Sequence, residues 1–205
     1  PQAGSLAFIE AAAELQLPIN ADFNGATQDG FGLYQVTQKG GERWTAARAY
    51  VEPARDRMEV LTGALTEKII VENGRATGVI IRQGRKRRTI KARGAVILSA
   101  GAFGSPQILM LSGMGPAEHL RSVGVDVVHD KAAIGADLQD HIDYVSSFET
   151  QSKDDFFGDS LAGTGKMVKA IIEHRFKRTG VMTTCFAEAG GFWRSDASLP
   201  APDIQ

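Results

Sequence analysis

With 205 residues, 43% of them hydrophobic and 23% charged, the chain can bury about 70% of its unfolded surface in one large domain or two small ones, which excludes disordered, collagen-like and coiled-coil architectures. A formal net charge of −1 gives no bulk electrostatic reason to expect a nucleic-acid or anionic-membrane partner. The single cysteine, Cys185, excludes an intramolecular disulfide and a thiolate zinc site, and with them a disulfide-built secreted scaffold.

Ser5 to Leu17 carries Leu6, Phe8, Ile9, Ala12, Ala13 and Leu17 at helical spacing, with Ser5 as the expected N-cap and Pro18 as the stop. Asp22 to Gly32 is dense in turn formers and leads into an alternating segment around Leu33, Gln35 and Thr37, read as a loop and a short strand. Thr45 to Val51 is predicted helical, ended by Pro53.

From Met58 the pattern turns to β. Strands are expected at Met58–Leu61, Lys68–Glu72, Thr77–Arg82 and Arg88–Ala92, with turns at Asn73-Gly74 and Gly84. Asn-Gly is a strong hairpin signal because both residues tolerate positive φ. Together these strands make a β-meander. The short apolar run Ala95–Leu98, flanked by Gly94 and Gly101, suits a strand buried on both faces of a parallel sheet. Ser105-Pro106 then supplies an expected N-cap and N1 proline for a helix through about Leu111.

No apolar run approaches the roughly 20 residues that span a bilayer, and Pro1 to Gly4 is not the charged-then-apolar start of a signal peptide. The chain is therefore expected to be soluble and cytoplasmic, with membrane association of a parent protein left open. It starts at Pro1 without a methionine and stops at Gln205 without a capped helix, and so is read as a piece of something larger.

Several chemistries are set aside. Seven basic residues lie between Arg82 and Arg93 (Arg82, Arg85, Lys86, Arg87, Arg88, Lys91, Arg93), but they fall on a predicted hairpin tip without interleaved aromatics for base stacking, so no nucleic acid is expected. Gly163-Thr-Gly-Lys166 lacks the earlier glycine and the following Ser or Thr of a phosphate loop, since Ser160 and Met167 occupy those positions. His119, His129, His141 and His174 show no ligand spacing, so no metal site is expected. No Gly-x-Ser-x-Gly elbow is present, because Pro106 follows Gly104-Ser105.

What remains is a strand end rich in small residues, Ser99-Ala-Gly-Ala-Phe-Gly-Ser-Pro106. At the carboxyl end of a parallel strand, small residues let a cofactor approach the backbone. Gly101 and Gly104 serve equally well to permit a tight strand-to-helix turn, and local pattern does not separate the two readings.

Gly101-Ala-Phe-Gly-Ser-Pro-Gln-Ile-Leu-Met-Leu-Ser-Gly-Met-Gly115 resembles the second signature of the glucose–methanol–choline oxidoreductases, FAD-dependent enzymes that oxidise alcohols. Thr37-Gln38 to Arg48-Ala-Tyr50 and Val60 to Thr66 resemble flanking segments of that family. Ile134-Gly-Ala-Asp-Leu-Gln-Asp-His141 resembles its Gly-x-Asn-Leu-Gln-Asp-His element, with Asp137 where asparagine is usual. Ala187 to Gly191 through Ala201 to Gln205 is similar to choline-dehydrogenase-like members.

The resemblance implies an α/β mixed fold: a partial FAD-binding domain with a parallel sheet and the β-meander over residues 1–135, then the start of an antiparallel substrate domain over 136–205. It implies FAD, a small-molecule alcohol substrate such as choline or another primary alcohol, and hydride transfer to the flavin. Thr66, Ala100 and Gly101 match cofactor-contacting positions; Leu138 and Gln139, also expected to bind the cofactor, fall with Asp140 in an element near the domain junction. Glu188 matches a glutamate facing the substrate's cationic head in choline-oxidising members, and also reads as a structural glutamate at a strand edge. The family's Gly-x-Gly-x-x-Gly unit and its catalytic histidine have no match here, so no catalytic residue is named. The isolated chain is expected to be inactive, to bind no FAD and to self-associate through unpaired edges. The alternative is a stand-alone, non-catalytic binding domain derived from such an enzyme.

Overall fold

A computed structural model describes residues 1–146, 161–185 and 187–205. In chain order they form helix α1 (Ala3–Glu14), strands β1 (Gly30–Leu33), β2 (Gln38–Lys39) and β3 (Glu42–Arg43), and a π-helical turn (Ala47–Val51) running into a 3-10 helix (Glu52–Arg57). Strands β4 (Ala64–Glu72), β5 (Arg75–Gln83) and β6 (Lys86–Lys91) follow, then α2 (Gly101–Leu111), β7 (Met114–Gly115), α3 (Ala117–Ser122) and β8 (His129–Asp130). Helix α4 (Leu161–Lys177), a 3-10 turn (Val181–Thr183) and β9 (Ala189–Phe192) complete the order. The fold is mixed α/β with small sheets.

Two compact units result, residues 1–57 with 161–205, and residues 58–146. This division does not coincide with the boundary expected near residue 135. Backbone pairing decides it: β1 runs antiparallel to β9, from Gly30 opposite Phe192 to Leu33 opposite Ala189, so the start of the chain folds with its end.

In the first unit, α1 stops at Glu14 rather than Leu17 because Gln16 takes a left-handed φ of 58°, and the N–H groups of Leu15, Gln16 and Leu17 fold back onto the carbonyls of Ala11, Ala13 and Ala12. Its N-cap is Gln2, not Ser5. Phe23 packs between Tyr34 and Phe192, with ring centroids at 5.4 and 5.0 Å. The Tyr34 ring covers Gly190 so closely that a Cβ there would overlap it. Pro53 does not end the helical turn before it; its fixed φ suits the first turn of the 3-10 segment Glu52–Arg57.

The second unit contains the expected meander, in the order β4-β5-β6. Asn73 and Gly74 both take positive φ, 51° and 75°, as the tight hairpin requires. Ile69, Val79 and Ile90 stand opposite one another across the three strands and form its apolar face. Two expected strands are absent. Met58–Leu61 and Ala95–Leu98 belong to no strand, because a strand exists only through a partner's hydrogen bonds and none of the described residues supplies one. Ile97 is 88% exposed, where burial on both faces was expected. Parallel pairing among the described residues is short: Met114 opposite His129 and Gly115 opposite Asp130, and a single bridge between Ile19 and Phe31 in the first unit.

Helix α2 starts at Gly101, four residues before the expected cap, and carries Pro106 inside it. Ser105 Oγ instead accepts the backbone N–H of Ala100 at 3.0 Å, reaching back from within the helix. At the other end, the buried Ser112 Oγ accepts the Ile69 N–H at 2.8 Å and donates to the Ile108 carbonyl at 2.6 Å. This one hydroxyl ties α2 to β4 just after the bulge between Thr66 and Lys68.

Candidate functional site

The second unit holds five of the six residues singled out from the sequence. Thr66 on β4 lines a groove of about 280 Å3 together with Ile69, Val79 and Ile90 from the meander and the extended segment Ala95–Leu98. The meander's apolar face meets the extended apolar segment here, just before the small residues that begin at Ser99. Leu138 lines a second groove, of about 400 Å3, with Phe103, Pro106, Met110 and Ile134. Positions 103, 106 and 110 share one face of α2 by their spacing, a signal present in the sequence.

Ala100, the N-cap of α2, and Gly101, its first residue, lie where the extended segment runs into the helix, and both are exposed. Gly101 has φ +84°, and open space surrounds the position its Cβ would take. Only glycine holds that conformation without strain, so the backbone bend at the head of α2 depends on it. Gln139 is exposed and lines neither groove. Asp140 Oδ1 accepts the His141 N–H at 2.9 Å, a local turn contact. Asp137 sits at φ +54°, which explains why asparagine, or here aspartate, stands at that position: both tolerate the left-handed region better than other side chains.

A flavin nucleotide needs unobstructed backbone and small side chains at such a strand-to-helix junction. The backbone bend at Gly101 is unobstructed, the side chains at Ala100, Gly101 and Ala102 are minimal, and the adjoining grooves are largely apolar, as a dinucleotide's close approach to backbone requires. The residues fit.

Glu188 belongs to the other unit. Its carboxylate accepts the backbone N–H of Gln2 at 2.5 Å and the Ser5 hydroxyl at 3.1 Å. Hydrogen bonds from Thr184 first, then from Gln2 and Ser5, hold it below the usual glutamate value, against a smaller opposing effect of burial. Ser5, expected to cap α1 itself, instead donates its hydroxyl to Glu188, which also accepts the N–H of Gln2 at the helix start.

A larger cleft in the same unit, about 620 Å3, is lined by Thr37, Arg43, Arg48, His174, Thr184 and Cys185 among others. Arg48 and Arg178 both pair with Glu42, at 3.2 and 3.1 Å, and His174 Nε2 lies 3.0 Å from the Gly41 carbonyl. None of the residues picked from the sequence as cofactor or substrate contacts lines it.

An alcohol dehydrogenase [acceptor] of Pseudomonas putida is 38% identical over 205 residues, covering 98% of this chain and 37% of the relative. An oxygen-dependent choline dehydrogenase of Rhizobium etli is 40% identical over 207 residues, covering 97% and 36%. The chain therefore spans little more than a third of the length of these relatives. Among solved structures, an FAD-dependent oxidoreductase from Chaetomium thermophilum superposes with a TM-score of 0.73 at 22% identity over 93% of this chain and 34% of its own, a likeness of fold. Pyridoxine 4-oxidase from Mesorbium loti matches with a TM-score of 0.57 at 32% identity over 62% of this chain and 25% of its own. Residues 2–143 match the profile of the GMC oxidoreductases, and with that match added to the α2 signature and the grooves beside it, the chain belongs to the GMC oxidoreductase family.

Proposed function

We propose that this chain is part of an FAD-dependent oxidoreductase that oxidises an alcohol, choline or another primary alcohol. The observation that carries the reading is the match over residues 2–143, joined by 38–40% identity along nearly the whole chain to relatives named for alcohol and choline oxidation. Bound FAD supplies the two-electron acceptor for an alcohol carbon.

Within that reading, Thr66, Ala100 and Gly101 receive the nucleotide half of the cofactor through backbone and small side chains, and Leu138 and Gln139 lie on the cofactor side of the substrate region. Residues up to about 135 serve chiefly the cofactor and the later ones chiefly the substrate, although the β1–β9 pairing ties the first segment to the last. No residue of this chain is assigned as the base that takes the hydroxyl proton.

The test is an intact enzyme carrying this sequence. It is expected to purify yellow with a flavin spectrum and to bleach when given a primary alcohol under anaerobic conditions. A colourless protein that takes up no FAD on reconstitution overturns the assignment.

Glu188 bears on substrate class. Replacing it by Gln in that enzyme is expected to weaken choline far more than a neutral alcohol of similar size if the carboxylate also serves a cationic head group. Equal losses for both would confine it to anchoring α1.

A further inference from the structure

Several constraints meet at Ala100. It is the N-cap of α2 but brings no side-chain acceptor to the helix end. The next residue, Gly101, bends the backbone at φ +84°. Gly104, one turn on, leaves the space that Ala100 needs, because a Cβ there would stand 3.1 Å from the Ala100 Cβ, closer than ordinary contact.

One side chain ties this bend down. Ser105 Oγ accepts the Ala100 N–H at 3.0 Å, reaching back five residues to the N-cap amide that a capping-box glutamate or glutamine reaches from the third helical position. Pro106 beside it has no N–H to give the Ala102 carbonyl, so the first turns of α2 lack one bond of their own ladder and rely on the hydroxyl. A helical serine ordinarily returns its hydroxyl to a carbonyl four residues back, as Ser112 does to Ile108. Ser105 holds the N–H of the bend instead. The entry to the extended segment is anchored separately, by Arg75 Nη2 donating to the Gly94 carbonyl at 3.0 Å.

The Ser105 bond contributes little to folding. Ala100 is exposed, so water satisfies its N–H when the hydroxyl is removed, and no buried donor is orphaned. Ser112 is the contrast: it is 1% exposed and its hydroxyl meets the Ile69 N–H in the interior. What Ser105 restricts is the freedom of the Ala100-Gly101 backbone, and freedom removed before a ligand arrives is a cost that binding no longer carries.

We propose that Ser105 is a positioning residue for the cofactor: through the Ala100 N–H it holds the Ala100-Gly101 backbone in the conformation that receives the nucleotide half of FAD. The inference rests on the proposed placement of FAD against that backbone.

The test compares Ser105→Ala, Ser105→Thr and Ser112→Ala in the intact enzyme carrying this sequence. Ser105→Ala is expected to raise the FAD dissociation constant about tenfold while the unfolding midpoint of the cofactor-free enzyme stays at the parent value. Ser105→Thr keeps the hydroxyl and should restore the parent affinity. Ser112→Ala should do the reverse of Ser105→Ala, lowering the midpoint and leaving FAD affinity unchanged. In the cofactor-free 205-residue chain, Ser105→Ala should speed hydrogen exchange at the Ala100 amide and not at the Ile69 amide. The proposal is overturned if Ala100 exchange is unaltered, if threonine does not restore affinity, or if Ser112→Ala weakens FAD as much as Ser105→Ala. It is also overturned if the weakening comes with a lowered midpoint, the mark of a merely structural role. A parent enzyme that takes up no FAD overturns the proposed function and this inference with it, whereas a parent that binds FAD equally well with and without the Ser105 hydroxyl overturns this inference alone.

Discussion

The Glu188 carboxylate accepts the Gln2 backbone N–H at 2.5 Å, so a residue near the end of the chain satisfies a donor at the mouth of the first helix. The negative charge also faces the positive end of α1. Because hydrogen bonds from Thr184, Gln2 and Ser5 lower its pKa below the ordinary 4.5, the folded state favours the ionised form. The stabilisation is present above the unfolded value and is lost as pH falls through the lower, folded one. Glu188→Gln is expected to cost about 1 kcal/mol at neutral pH, a figure discounted for its partial exposure. In urea unfolding followed across pH, the parent and variant curves should converge in acid below 4.5; a gap independent of pH would remove the charge from the account.

Ser112 joins two elements through one hydroxyl. It is 1% exposed, and the N–H it accepts is that of Ile69, the buried residue of β4. Ser112→Ala leaves that donor without its partner and is expected to cost about 2 kcal/mol. Denaturant midpoints measure the loss, and faster hydrogen exchange at the Ile69 amide localises it. An unchanged amide with a lowered midpoint would place the defect elsewhere.

The meander and α1 were legible because their signals are local: Asn73-Gly74 sets a two-residue turn, and Leu6, Ile9 and Ala13 follow the helix period. The misread positions depend on distant partners. Ser5 and Ser105 look like caps in sequence, yet one serves Glu188 and the other Ala100. Ala95–Leu98 has the composition of a buried parallel strand, but pairing is a property of neighbours, which composition does not encode. The union of residues 1–57 with 161–205 rests on four glycine- and aromatic-rich pairs between β1 and β9, and nothing in either strand's sequence names the other. Of the site, the α2 signature was readable, whereas the groove at Leu138 required knowing that Ile134–Leu138 returns to the Phe103–Met110 face.

Gly40 and Gly41 offer a matched pair. Both have positive φ, +58° and +73°, but a Cβ at Gly40 meets open space, while one at Gly41 would run into the Arg178 carbonyl. Gly40→Ala should cost about 1 kcal/mol of backbone strain. Gly41→Ala should cost more, because it also pushes away the end of α4 and with it the His174 contact to Gly41. Thermal unfolding of the two variants should rank them in that order, and equal losses would show that α4 does not rest on this hairpin.

The isolated 205-residue chain is expected to bind FAD more weakly than micromolar and to oxidise no alcohol. A nucleotide crevice of this kind is built outside the carboxyl ends of adjacent parallel strands, and Ala95–Leu98 has no strand beside it among the described residues. With Ile97 88% exposed, that segment lacks the packing on both faces that would hold Ala100 and Gly101 in one position. Thr66, Ala100 and Gly101 then offer contacts to one edge of a nucleotide, and the ordering of the segment itself opposes binding. Calorimetric titration of the purified chain with FAD measures this directly. Heats that saturate with a micromolar dissociation constant would show that the meander, the extended segment and α2 already hold the cofactor unaided.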